Sequence, residues 1–196
     1  RAVGDADLAL FLIDARAGVT PLDEHFANWL RSQDQPVLLV ANKYEGKTGE
    51  AGLLEAFGLG LGEPIALSAE HGEGLAELYG AIQPFADAWA YASVADGLED
   101  AEAGDDPGPA MQLAIVGRPN VGKSTLLNRL VGEDRMLTGP EAGITRDAIA
   151  VEWSFDGRPI RLIDTAGLRR QARVTGKVEK LSTTDSLRAI QYAQLV

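Results

Sequence analysis

The sequence predicts an α/β fold built on a mostly parallel sheet. Three observations predict it. Four short apolar runs recur, "DLALFLIDAR" (7–16), "PVLLVANK" (36–43), "PIALSA" (64–69) and "MQLAIVG" (111–117). Each is apolar on consecutive residues rather than alternating, as strands covered on both faces are. Between them lie stretches with helical spacing, and strands alternating with helices indicate parallel pairing.

The elements follow in order. Residues 7–16 form the first strand. "TPLDEHFANWLRSQ" (20–33) is a helix, with Thr20 as N-cap, Pro21 in the first turn and Phe26, Trp29 and Leu30 at helical spacing. Residues 36–43 are the second strand. "GEAGLLEAFGLGLGE" (49–63) is a short helix broken by Gly, and 64–69 is the third strand. "GEGLAELYGAIQPF" (72–85) is a helix expected to stop near Pro84. The following segment, 86–110, begins as a possible extension of that helix. It continues as "GLEDAEAGDDPGP", acidic and almost free of bulky apolar residues, which reads as a flexible linker. With boundaries at 92 and 110 the linker could span up to roughly 60 Å when extended. Order resumes with the strand at 111–117 and a helix over "GKSTLLNRLVG" (122–132), with Leu126, Leu127 and Leu130 inward. "RMLTGPEAGITRD" (135–147) is a loop. "AIAVEWSFDGRPIRLIDTAG" (148–167) is a hairpin turning at Asp156-Gly157. "LRRQARVTGKVEKLS" (168–182) is basic and without clear period, and "TTDSLRAIQYAQLV" (183–196) is helical.

Composition narrows the function classes. The chain has 196 residues, no Cys and a formal net charge of −11. The absence of Cys removes disulfides and thiolate metal sites and fits a reducing cytoplasm. No apolar run is long enough to cross a membrane, and no signal peptide is visible. The missing initiator Met hints at a fragment. Residues 1–110 carry 5 Lys/Arg against 20 Asp/Glu, whereas residues 111–196 carry 13 against 9. The basic part is therefore the one suited to face anions, while the acidic surface serves solubility.

"GRPNVGKS" (117–124) fits G-x-x-x-x-G-K-[ST], follows a strand and opens a helix. Gly117 and Gly122 let the backbone turn its N–H groups inward, and the helix N-terminus adds partial positive charge. Lys123 would reach the β- and γ-phosphates, and Ser124 would take a Mg²⁺ position. Asp164, in "LIDTAG", ends the next buried strand, where a carboxylate can hold Mg²⁺ through water. Gly167 would offer its N–H to a γ-phosphate, and Thr145 would close on Mg²⁺ when that phosphate is present. His25 and His71 have no ligand-spaced partners and read as surface or loop residues.

"GRPNVGKST", "GITRD" and "DTAG" resemble the first three motifs of the translation-factor-like, Ras-fold GTPases. The resemblance implies a P-loop NTPase fold of the Ras-like G-domain type. Its nucleotide-contacting residues would be Gly117, Arg118, Pro119, Asn120, Val121, Gly122, Lys123, Ser124 and Thr125, with Asp164, Thr165, Ala166, Gly167 and Leu168. Lys123, Thr145 and Gly167 would serve the chemistry, and Ser124, Thr145 and Asp164 would hold Mg²⁺. Leu168 stands where Ras-like proteins carry a water-orienting Gln, so water must be oriented otherwise. Asn120 resembles the Asn with which related GTPases hold K⁺; the alternative is an Asn that braces the loop.

"NKYE" (42–45) and "SAEHGEG" (68–74) end two strands and resemble the guanine-reading motifs N-K-x-D and S-A. By that resemblance Asn42, Lys43, Tyr44, Glu45, Ser68 and Ala69 would contact the base of GTP or GDP. A carboxylate there accepts two hydrogen bonds that adenine cannot donate. Glu45 replaces the usual Asp, and its extra methylene must fold back to keep that geometry.

The order is base motifs, linker, phosphate motifs. A circularly permuted single GTPase would have it, with three strands from each part completing one six-stranded sheet. So would the end of one G domain joined to the start of another. "GLGEPIALSAEHGEGLAEL" and "DARAGVTPLDEHFANWLR" resemble the first G domain of the Der/EngA family, and "GPEAGITRDAI", "LIDTAGLRR" and "VEKLSTTDSLRAI" its second. The resemblance implies two partial G domains, 1–91 and 111–196, joined by an acidic linker at 92–110. It implies a monomeric cytoplasmic GTPase acting in large ribosomal subunit assembly, with that subunit and its rRNA as partners and no membrane role. A non-hydrolysing, GTP-toggled RNA-binding scaffold is the alternative class. The basic stretch Arg169, Arg170, Arg173, Lys177 and Lys180 is either a solvated loop or an rRNA or inter-domain contact. The missing parts would leave apolar strand edges, so the two parts are expected to dock on each other.

Overall fold

The computed structural model describes residues 3–95, 110–132, 151–155 and 158–163. The strands are β1 (Leu8–Asp14), β2 (Val37–Asn42), β3 (Ile65–Ala66), β4 (Met111–Val116), β5 (Val151–Phe155) and β6 (Arg158–Ile163). The helices are α1 (Pro21–Leu30), α2 (Lys47–Ala56), α3 (Leu75–Ala95) and α4 (Lys123–Gly132), with a short 3-10 turn at Phe57–Leu59. All six strands form one sheet in the order β3-β2-β1-β4-β6-β5. Among the pairings of these six strands, only β5 with β6 is antiparallel. Three strands come from residues 8–66 and three from residues 111–163, and their pairing in one sheet is what the docking expectation requires.

The seam is the pairing of β1 with β4, parallel, from Leu8↔Leu113 to Phe11↔Val116. All seven residues of β1 are buried. It lies between β2 and β4, and side chains alternate across it. Leu8, Leu10 and Leu12 enter one core layer with Leu78 and Ile82 of α3 and Leu126, Leu127 and Leu130 of α4. Ala9, Phe11 and Ile13 enter the opposite layer with Ala27 and Leu30 of α1 and Ala56 of α2. Each fully buried Leu or Ile contributes about 1.5–3 kcal/mol of apolar transfer. An aromatic cluster adds to the seam, with Tyr79 of α3 against Trp153 and Phe155 of β5 at centroid separations of 6.1 and 5.6 Å.

Thr20 caps α1 as expected, and Asp23 completes a reciprocal capping box. Two expectations need correction. The helix after β3 does not stop at Pro84 but continues to Ala95. Pro84 and Gly80 are both exposed, so the Gly80 carbonyl that loses its helical donor can turn to water. The third strand shrinks to two residues because the chain beyond Ala66 leaves the ladder for the site. Leu67 still donates to the Ala41 carbonyl, but Ala69 donates to the Asn42 side chain. The loop at 135–147, the Asp156-Gly157 turn, residues 164–196 and most of the linker lie outside the described residues.

Candidate nucleotide site

From β1 the chain crosses to β2 on one side, while β4 leads to β6 on the other. The order therefore reverses between β1 and β4. In open α/β sheets ligands bind outside the carboxyl ends of the strands at such a point. The C-terminal ends of β1, β2 and β4 deliver Asp14, Asn42 and the loop beginning at Gly117 to this edge.

The loop lies tightly against the sheet. Gly117 has φ +144, and a Cβ there would run into the Leu12 carbonyl of β1. Gly122 has φ +97, and a Cβ there would meet the Asn42 amide. Both positions need glycine for conformation and for space. Lys123 opens α4 and folds back over the loop. Its Nζ donates to the carbonyls of Gly117 and Arg118, each at 2.7 Å. Burial first, and the neighbouring Arg118 charge second, pull the Lys123 ammonium down to about 8. A partly desolvated ammonium held, among the described residues, by carbonyl dipoles is matched to an anion. Ser124 is half-buried in the first turn of α4, and Thr125 is exposed. Arg118 turns away from the loop mouth, and its Nε donates to Oδ2 of the fully buried Asp23 at 3.2 Å.

The base motifs meet this loop directly. The Asn42 amide donates to the Val121 carbonyl at 2.7 Å, and its Oδ1 accepts the Ala69 N–H at 3.0 Å. One buried side chain thus ties the end of β2 to the turn after β3 and to the phosphate loop. Lys43 Nζ donates to Asp14 Oδ2 and to the Asn120 carbonyl, both at 2.7 Å. Ser68 is buried, and its N–H donates to the Glu73 carbonyl. Tyr44 is half-buried and packs on the core layer of α1 and α2. Glu45 is half-exposed. It pairs with Arg16, and its Oε1 lies 3.5 Å from His71 Nε2. Pro119 and Asn120 are exposed at the loop tip, and Val121 is buried beneath it.

The structure therefore brings together Gly117–Thr125, Asn42–Glu45, Ser68 and Ala69. Thr145, Asp164, Thr165, Ala166, Gly167 and Leu168 lie outside the described residues, as do Arg169, Arg170, Arg173, Lys177 and Lys180. His25 is exposed as expected. His71 is exposed too, yet it gathers with Glu45 and Glu70 in space, which sequence separation hides.

A family model described as "50S ribosome-binding GTPase" matches residues 112–196. A "GTPase Der" of Parvibaculum lavamentivorans is 57% identical over 211 residues, covering 100% of this chain and 45% of that one. A "GTPase Der" of Dinoroseobacter shibae is 56% identical, covering 100% and 43%. The chain belongs to the Der GTPase family. It spans less than half the length of these Der relatives. Among solved structures, YjeQ from Thermotoga maritima covers 84% of this chain and 50% of that one, at 19% identity and a TM-score of 0.45, too loose a likeness to carry weight.

In this Der-family chain, sequence reasoning passed over Asp14, Asp23 and Arg129. Asp14 carried a signal, a lone carboxylate closing an otherwise apolar strand. Asp23 carried one too, three residues after an N-cap Thr. Arg129, whose guanidinium donates to the Ala69 and Glu70 carbonyls at 3.4 and 2.9 Å, carried none. Its partners are 60 and 59 residues away.

Proposed function

We propose that this chain binds GTP and GDP with Mg²⁺ at the β1–β4 edge and takes part in GTP hydrolysis. The observation that carries the reading is the direct bonding of the base motif to the phosphate loop, Asn42 to Val121 and Lys43 to Asn120. Nucleotide spans these two motifs, so their contact supports one continuous site. The backbone N–H groups of the loop and the α4 N-terminus would receive the phosphates. Lys123 would leave its carbonyl partners for them. Asn42, Lys43, Glu45, Ser68 and Ala69 would face the base, with Tyr44 beside them.

Glu45 is reachable but not free. Arg16 must release it, or share it, when guanine binds. Ser124, Thr145 and Asp164 would hold Mg²⁺, which offsets phosphate charge when bound. Gly167 would donate to the γ-phosphate, and Asn120 would help hold K⁺ in place of an arginine finger. We further propose that the whole protein is a cytoplasmic factor in large ribosomal subunit assembly that contacts its rRNA. The family description, "50S ribosome-binding GTPase", supports the ribosomal part of that placement. The division into two partial G domains at 1–91 and 111–196 is part of the same proposal. A second reading is favoured by the single six-stranded sheet, in which the two parts act as one composite G domain within this chain.

The test is GDP binding and Mg²⁺-dependent phosphate release by the chain and by Lys123→Ala. The reading expects saturable GDP binding, reduced at least tenfold in the variant, and any turnover lost with it. Undiminished GDP binding by Lys123→Ala would sink the reading. Weak or absent turnover is expected of this chain because it lacks a complete native site, and phosphate release unchanged in Lys123→Ala would favour a GTP-toggled scaffold.

A further inference from the structure

We propose that Asp14 is a positioning residue for guanine-nucleotide binding, fixing Lys43 so that the base motif and the phosphate loop hold together as one unit. The inference rests on the nucleotide-site reading above and extends it to a residue outside the recognised motifs. Asp14 closes β1 and stands in register with Asn42 at the end of β2. It is nearly buried, at 8% exposure.

Its two oxygens have separate tasks. Oδ1 accepts the N–H groups of Arg16 and Ala17 at 3.1 and 3.3 Å and closes the turn after the strand. Oδ2 accepts the Lys43 ammonium at 2.7 Å. That ammonium passes on to the Asn120 carbonyl at the same distance. Lys43 and Asn120 are also the two non-glycine residues among those described with positive φ, +62 and +66. Such conformations persist only where surrounding contacts over-determine them. Here the two strained residues come from opposite sides of the linker and meet through one ammonium, and Asp14 is the charge that anchors it. Burial acts most strongly on Asp14 and alone would raise its pKa. The Lys43 hydrogen bond and charge, with the two backbone donors, outweigh it and hold the carboxyl below its usual value. The carboxylate therefore stays ionised beside the ammonium at neutral pH.

Asp14→Asn keeps an oxygen for the turn and removes the charge that faces Lys43. The experiment is a thermodynamic cycle on the affinity of the 196-residue chain for a fluorescent GDP, using Asp14→Asn, Lys43→Met and the double variant. Asp14→Asn is expected to bind about tenfold more weakly, in line with losing a charged hydrogen bond. The double variant is expected to be no weaker than the weaker single, because both changes remove the same bridge. Unchanged affinity in Asp14→Asn, or losses that add in the double variant, would overturn the inference. In the parent chain, reductive methylation is expected to be slower at Lys43 than at the exposed Lys47, and equal rates would overturn it without reliance on any variant. A parent that binds no GDP is a distinct result, and it removes the nucleotide-site reading itself.

Discussion

In the proposed site Lys123 is the side chain that would meet the phosphates, and its burial already shifts its titration. Its folded-state value of about 8 lies below the ordinary 10.5. The folded chain therefore holds fewer protons than the unfolded chain between these values. Stability that Lys123 withholds below about pH 8 is recovered as pH rises toward 10.5. Nucleotide binding runs the other way, since phosphate needs the ammonium. GDP affinity is expected to fall as pH rises above about 8, and titrations at pH 7, 8 and 9 check it. Gly122→Ala tests the cradle itself. The new Cβ would enter the Asn42 amide at a φ that side chains rarely adopt. A loss of about 1–3 kcal/mol in stability and weakened GDP binding are expected, read by denaturant melts and titration. The tight glycine turn between β4 and α4 was legible because its pattern is contiguous in sequence. Asp14 was not, because its meaning comes from Lys43, 29 residues on.

At the scale of elements, α3 carries the sharpest test. Pro84 sits inside a 21-residue helix on an exposed face. Pro84→Ala restores a backbone donor toward Gly80 and is expected to stabilise the chain by roughly 2 kcal/mol, measured by thermal or denaturant unfolding. Reading Pro84 as a stop failed because propensity is local. The apolar spacing that holds α3 on the sheet, through Leu75, Leu78, Ile82 and Ala86, overrides it. β1, β2 and β4 were legible because strands covered on both faces are near-continuous apolar runs, interrupted here by Gln112 and closed by Asp14 and Asn42. β3 was overestimated because "PIALSA" is apolar for two reasons. Ile65 and Ala66 pair with β2, whereas Ser68 and Ala69 are buried against the site. The hairpin was legible from alternation and its turn pair.

At the scale of the molecule, residues 3–95 and 110–163 share one sheet, and residues from both sides of the β1–β4 seam enter each of the two core layers. Trp153, fully buried, packs on Tyr79, 74 residues before it in the chain. Trp153→Ala is expected to cost about 3–5 kcal/mol and to loosen the hairpin from α3, read by denaturant unfolding with amide exchange. Polar contacts also cross the seam. They join Arg118 to Asp23, Arg158 to Asp87 and Arg129 to the Ala69 and Glu70 carbonyls. The two ion pairs among them, Arg118–Asp23 and Arg158–Asp87, set a cation of residues 111–196 on a carboxylate of residues 1–110, in line with the charge asymmetry visible in the sequence. Which residues meet could not be read from sequence, because the seam depends on packing between segments that lie far apart along the chain. We propose that the base motifs at 42–45 and 68–69 and the loop at 117–125 form one site. It is tested most directly by comparing GDP and ADP affinities of the chain with those of Asn42→Ala. The account expects the parent to prefer GDP, and Asn42→Ala to lose at least tenfold in GDP affinity and most of the preference. GDP affinity and preference unchanged by Asn42→Ala would contradict it.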